Sequence, residues 1–365
     1  MQGKSIALGV ALAAMTALTT MPASADAVED FYRDRQVTVI FTGAVGSIYD
    51  ISARLVTRHM ADHIPGKPTM VVKAMPGGGH ITGTTWMYNV APRDGSALAS
   101  IGEAIPLLQV LEPEKVKFDV SKFIWLGNPN VANLVLSTWH ATGIKTIDDA
   151  QAREVIIGAG GATSPSGQIP KALNNIVGTK FRIITGFPST HIDLAMERGE
   201  VEGRGSALWA WWKTGRPSWV AENKLNHLVQ WGPKRDSELP NVPLLTELAK
   251  NEAERQVFQL LSSTVIVGRP ILTTPEVPAD RVAALKASFV KAMADKDYRA
   301  GAEKARLEVN PMFADDMQTL IEAVIATPPE VVKLAKAAIT QGQVFDCKSL
   351  VKDAALCESK GGGGD

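Results

Sequence analysis

Five times in this chain a strand-like run ends in a loop of glycine and small polar residues: "TGAVGS" from Thr42, "PGGGH" from Pro76, "IGEA" from Ile101, "GAGGATSPS" from Gly158 and "TGFPST" from Thr185. Few architectures accommodate such a repeat. Strands that alternate with helices give mainly parallel sheets with helices on both faces. In sheets of that kind ligands bind outside the carboxyl ends of the strands. Loops contributed by two separate blocks of sequence then imply one lined cleft between two lobes.

The elements around the loops follow from spacing. "QVTVIF" (36–41) reads as a strand. The helix after it carries Ile51, Leu55, Met60 and Ile64 along one stripe and ends at Pro65-Gly66. "TMVVKAM" reads as a second strand, "ITGTTWMYNVA" as a helix, and "SALASIG" as a third strand beyond the turn at 92–95. The pattern restarts near Asn128, with "EVIIGAG", "KFRIIT" and "NHLVQWG" as strands. One helix follows Ser164 as N-cap, with Pro165 in its first position and Gly178 closing it. Another runs from Ser189 to Gly199. "SALWAWWKTG" reads as helix, and "STVIVGRPILTTPEVP" reads as a return to β structure. Helices over 279–307, 315–325 and 330–340 complete the pattern, the first broken near Asp297. The expected division is a first lobe of residues 26–127 plus 256–340, a second lobe of 128–255, and a C-terminal extension over 341–365.

The first residues bear on compartment. Lys4, an apolar run over 6–18 and the Ala23-Ser24-Ala25 triplet fit a secretory signal cleaved after Ala25. The run is too short to span a bilayer comfortably. Over the whole chain 38 basic residues balance 38 acidic ones. That balance gives no electrostatic footprint for nucleic acid or an anionic membrane. The two cysteines, Cys347 and Cys357, fall in the C-terminal extension. In an oxidising compartment a disulfide is the natural reading. A metal or redox pair would want a CxxC spacing and a nearby His.

The catalytic motifs fail one by one. A dinucleotide fingerprint needs Gly-x-Gly-x-x-Gly. Counted from Gly77 the third position is Thr82, and Gly83 fits only a looser spacing. No Gly-Lys-Ser/Thr closes a phosphate loop. His59 and His63 lie four apart, but Met60 stands where a zincin needs Glu, so a solvated helix face is the reading there. No Gly-x-Ser-x-Gly elbow occurs; "TSPSG" (163–167) lacks its first Gly. Binding without chemistry remains. Helix N-termini favour anions such as carboxylates, and glycines let a ligand approach the main chain.

The order and spacing of several motifs resemble a known family. "VTVIFTGAVGSIYDISARL" gives a strand, a Gly-containing loop, an Asp and then Ala-Arg. "VVKAMPGGGHITGTTWMYNVAPRDG" gives a strand, a Pro/Gly-rich loop and a helix ending in Pro-x-Asp-Gly. "GAGGATSPSG", "ITGFPSTHIDLAMERGEVEG" and the stretches "PNVPLLTELA" and "PEVPADRVAAL" follow in order. Together they resemble the periplasmic solute receptors of tripartite tricarboxylate transporters, the Bug receptors, over nearly all of 36–311.

The resemblance implies a two-lobed periplasmic binding protein of type II, with the cleft between lobes built of mixed, mainly parallel sheets. It implies a receptor, not an enzyme, that closes by a hinge on a small carboxylate. It implies no cofactor and no metal, a monomer, and delivery to a permease with large and small subunits. Ligand contacts carried over to the first lobe are Thr42, Val45, Gly46, Ser47 and Asp50, then Gly78, Gly79 and His80. In the second lobe they are Gly161, Thr163, Ser164, Phe187, Ser189 and Ser206. Arg54 is expected to stabilise its own lobe. Arg204 either pairs with a ligand carboxylate or forms a surface ion pair. Trp209, Trp211 and Trp212 serve either as a stacking surface or as core. A receptor for a sensor protein is the alternative role, and a periplasmic hydrolase is a remote one.

Overall fold

The computed structural model describes residues 23–340, 342 and 345–358; the side chains of 23–26, 189 and 190 lie outside that description. The signal segment therefore falls almost wholly outside the described residues. The strands are β1 (Gln36–Phe41), β2 (Thr69–Ala74), β3 (Ala97–Ser100), β4 (Ile124–Asn128), β5 (Leu134–Trp139), β6 (Val155–Gly158), β7 (Phe181–Ile184), β8 (Gly203–Leu208), β9 (Leu225–Trp231), β10 (Ile271–Thr273) and β11 (Met312–Phe313). They form two sheets, in the orders β11-β4-β10-β3-β1-β2 and β7-β6-β8-β5-β9.

Both sheets are mixed. β1 runs parallel to β2 and β3, and β6 runs parallel to β7 and β8. β10 and β11 pair antiparallel in the first sheet, and β5 pairs antiparallel with both its neighbours in the second. Both β5 and β10 are reached by a chain that has just crossed from the other sheet, so each enters against its neighbours. The sheets thus carry more antiparallel pairing than strand–helix alternation implies. That alternation shows only that strands and helices take turns, not where the chain changes sheet.

Each sheet is covered on both faces. Val37 and Val39 of β1 point into a core with Val56, Met60, Leu98 and Phe289. Ile40 points the other way, toward Met87, Trp125, Leu272 and Met317. This period-two split is what a doubly covered strand requires. In the second sheet Leu136, Ile157 and Val229 face one core, while Val135, Ala207 and Trp209 face another.

Two expectations fail locally. Ser206-Ala207-Leu208 continue β8 and only 209–215 is helical. "STVIV" (263–267) is the last part of the helix Glu252–Val267, and only Ile271–Thr273 forms a strand. The β-branched run favours strand locally, but Val257, Phe258, Leu261 and Val265 bury one face of a continuous helix, and tertiary packing prevails.

Helices join the lobes behind the cleft. Within the helix Ile105–Leu111, Ile105 packs in the first lobe while Leu107 and Leu111 pack with Leu136 and Ile157 of the second. Val331, Leu334 and Ala338 of the helix Pro329–Ile339 share that core with Ile169 and Leu173. By packing, this helix goes with the second sheet, whereas the sequence division places it in the first lobe. The Cys347–Cys357 disulfide is formed, with Cα atoms 5.8 Å apart. Phe345, Leu350 and Leu356 of the same extension pack on this core. No described helix is long and apolar enough to cross a membrane.

Candidate functional site

Two short segments carry the chain between the sheets, 129–133 after β4 and 268–270 before β10. One side chain ties them together. The buried Asn128 carboxamide donates to the carbonyls of Asn130 (2.8 Å) and Ile266 (3.0 Å). Its oxygen accepts the N–H of Asn130 (3.2 Å) and of Arg269 (3.3 Å). Gly268 makes room for it: φ is +58° there, and an added Cβ would stand 2.5 Å from Asn128 Nδ2. Asn310 braces the first segment by donating to the Val131 carbonyl at 2.6 Å.

A cavity of about 380 Å³ opens beside these crossings. Ile48, Tyr49 and Glu103 line it from loops of the first sheet. Asn130, Ala132 and Arg269 line it from the crossings, and Arg204, Ser206, Leu208 and Trp211 line it from the second lobe. Three separate parts of the chain therefore converge on one interlobe space, of the size that small-molecule sites occupy.

Three charged side chains face that space, and their situations differ. Arg204 is buried and donates from its NH1 nitrogen to Asp193 Oδ1 at 2.7 Å and from Nε to the Ser206 carbonyl at 2.8 Å. Asp193, itself fully buried, also accepts from Trp211 Nε1 at 3.2 Å. Arg216 Nε lies 3.3 Å from the same carboxylate, close as a charge but off-angle for a hydrogen bond. So Arg204 is neither a surface ion pair nor an uncommitted clamp. It is a positioned wall of the cleft.

Arg269 is the second cation. Only 8% of it is exposed, and its guanidinium has no hydrogen bond or ion pair among the described residues. A buried charge in that condition is costly unless something pairs with it. Glu103 is the anion. It is half-buried, and desolvation within the cleft pushes its carboxyl up from the ordinary range, offset in part by the Arg269 charge. Its backbone N–H donates to Tyr49 Oη at 3.3 Å. Burial likewise raises the Tyr49 phenol, so it stays protonated and able to donate.

Among the described side chains, Ser206 is the ligand contact expected from sequence that lines the cavity. Thr42 lies behind it, buried, with Oγ1 2.8 Å from His80 Nδ1. The His80 ring sits 5.0 Å from the Tyr49 ring, and burial lowers its pKa, favouring the neutral form. Gly78, Gly79 and His80 all have left-handed backbone, at φ +55°, +63° and +78°. Gly78 and Gly79 are exposed. The glycine run thus turns the chain so that His80 buttresses Tyr49, and Gly102 leaves room for the imidazole, since a Cβ would come within 2.5 Å of it.

The remaining candidates are mostly engaged within their own loops. Asp50 is buried and accepts from Gly46 N–H at 2.9 Å and from Arg54 Nε at 2.5 Å. This occupies the Gly46 donor and gives Arg54 the stabilising part expected of it. Ser47 stands before the helix Ile48–His63 with its Oγ buried and unpaired, and Val45 is 75% exposed at the loop tip. Ser164 Oγ closes on Gly161, accepting its N–H at 3.2 Å and donating to its carbonyl at 2.8 Å. Thr163 is exposed, and Phe187 packs against Ile192 and its neighbours. Ser189 begins the helix Ser189–Glu197; its side chain lies outside the described residues. The tryptophans divide: Trp212 is core, stacked on Trp219 at 5.9 Å, Trp209 is buried, and Trp211 reaches the cleft.

Reasoning from sequence missed Tyr49, Glu103, Asn130 and Arg269. Glu103 lay in a loop already singled out, "IGEA". Asn130 and Arg269 lie on crossings, which carry no periodic pattern. His59 and His63 prove not to be a solvated face, since both approach Asp295, at 3.8 and 3.2 Å. Asp295 itself caps the helix Lys296–Lys304. No cluster of three or more metal-ligating side chains occurs among the described residues.

No family model matches the chain. A curated relative, the UPF0065 protein in the gbd 5′ region of Cupriavidus necator, is 26% identical over 329 residues, covering 87% of this chain and 92% of that one. A TctC solute-binding protein from Polaromonas superposes with a TM-score of 0.64 at 16% identity, over 82% of this chain and 99% of its own. R. palustris Rpa4515, solved with adipate, superposes with a TM-score of 0.58 at 17% identity, over 83% and 97%. The fold is that of the periplasmic binding proteins, with the TctC type among its neighbours. The resemblance to tripartite tricarboxylate receptors drawn from the motifs agrees with these likenesses.

Proposed function

We propose that this chain is an exported receptor that holds a small organic acid between its two sheets and passes it to a membrane permease of the tripartite tricarboxylate type. The observation that carries the reading is Arg269, a buried cation without a partner among the described residues, facing a cavity of about 380 Å³. A carboxylate there makes charge-assisted hydrogen bonds, which offset the desolvation of both groups. Ser206, Asn130 and the Tyr49 hydroxyl stand as further polar groups around it. The adipate held by a protein of the same fold supports the ligand class. The signal-like segment with cleavage after Ala25 supports export.

The lobes are taken as the two sheets with their covering helices. They close by bending at 129–133 and 268–270, with Asn128 as the fixed point between them. Closure brings the loops at 44–47 and 77–79 over the ligand, and no covalent step follows. A thermal-shift screen over mono-, di- and tricarboxylates tests this, because a ligand specific to the folded state raises Tm. At least one acid is expected to raise it in proportion to the logarithm of its concentration. Turnover of the bound acid, or no shift with any acid, would overturn the reading.

A further inference from the structure

The cleft holds two charges of opposite sign that no described residue hydrogen-bonds or pairs within ion-pair distance. Arg269 has no partner among the described residues, and neither does the Glu103 carboxylate. They interact through space but form no ion pair with each other. The third charge, Arg204, is already matched by Asp193. The walls between are largely apolar, from Ile48, Ala132, Leu134, Leu208 and Val265. One molecule with a single charge can therefore satisfy only half of this site.

We infer that the ligand is a carboxylate that also carries a hydrogen-bond-donating nitrogen, an amine in its ammonium form, with Arg269 on the carboxylate and Glu103 on the nitrogen. This rests on the carboxylate reading above and narrows it. A plain monocarboxylate pairs with Arg269 and leaves Glu103 desolvated and unpaired. A dicarboxylate sets a second negative charge against Glu103. An amino acid completes both pairings without adding net charge to the cleft. Tyr49, whose hydroxyl accepts the Glu103 N–H, fixes the segment that presents the carboxylate. Glu103 is then the specificity-determining residue.

The test compares matched chains of four to six carbons by calorimetric titration: ω-amino acids, α-amino acids, the corresponding diacids and the unsubstituted acids. In the wild-type protein the best amino acid is expected to bind at least about tenfold more tightly than the diacid of equal length. Glu103→Gln should lower amino-acid affinity and raise diacid affinity, inverting the preference. A diacid that binds the wild type as tightly as its amino-acid counterpart overturns this inference and leaves the carboxylate reading standing. If no compound of any series binds, both fall. The wild-type comparison decides the matter even if the variant does not fold.

Discussion

The buried carboxamide of Asn128 accepts the backbone N–H of Arg269 at 3.3 Å, across 141 residues of sequence. The same side chain holds Asn130 and Ile266. Arg269, unpartnered among the described residues, is therefore anchored at the point where the chain passes between lobes. Position and hinge share a single residue, so a change there should be felt in both stability and binding.

Gly268→Ala tests that coupling. The added methyl would meet Asn128 Nδ2 at 2.5 Å, and alanine is strained at φ +58°. We expect a loss of about 1–3 kcal/mol in urea unfolding. Carboxylate affinity should fall with it, because Arg269 follows Gly268 directly. A variant that binds as well as wild type would show that the crossing does not set the cation's position.

Asp193→Asn removes the carboxylate shared by Arg204, Arg216 and Trp211. Arg204 would stay buried without its Asp193 ion pair. Breaking a buried pair in this way costs about 3–5 kcal/mol. Arg216 is more exposed, so Arg216→Gln should cost about 1 kcal/mol or less. Denaturant midpoints of the two variants separate the cases, and equal losses would contradict the assignment of Arg204 as the principal partner.

Burial pulls the His227 imidazole down to about 4, with its Nδ1 2.8 Å from Ser137 Oγ. Its folded pKa lies below its unfolded value, so the unfolded chain binds the extra proton. Stability contributed by the neutral ring is complete above about pH 6.5 and declines as pH falls toward 4, by up to about 3 kcal/mol. Glu202 and Asp119, whose pKa values are depressed, lose their contributions only lower, below the ordinary carboxylate range. His227→Gln should make the decline between pH 6.5 and 4 shallower, leaving the part that the depressed His80 imidazole contributes in that window, and leaving the acid limb. An unchanged profile would mean that another group drives that decline.

Much of this fold is legible in the sequence because each lobe is built from locally encoded units. The strand at 36–41, its following helix and the Gly178 cap all occur as read, since β-branched alternation, helical stripes and left-handed glycine act over a few residues. The end of the helix at Val267 reads as strand in the sequence, because its β-branched residues are held helical only by packing across the molecule. The site was less legible. "PGGGH" suggested a clamp made by glycine backbone, yet the turn chiefly places His80 against Tyr49. Glu103 and Arg269 become neighbours only through the fold, being 166 positions apart, although Glu103 lies in the "IGEA" loop.

The most direct measurement is calorimetric titration of wild type and Arg269→Gln with the organic acid that gives the largest thermal shift. The account predicts a Kd of about 1 µM or tighter for wild type, corresponding to about 8 kcal/mol. It predicts a loss of about 2–3 kcal/mol on substitution, the worth of a charge-assisted pair. Unliganded stability should hold or rise, since a buried unpaired charge is removed. Unchanged affinity in the variant, or the absence of any bound acid in the wild type, would contradict it.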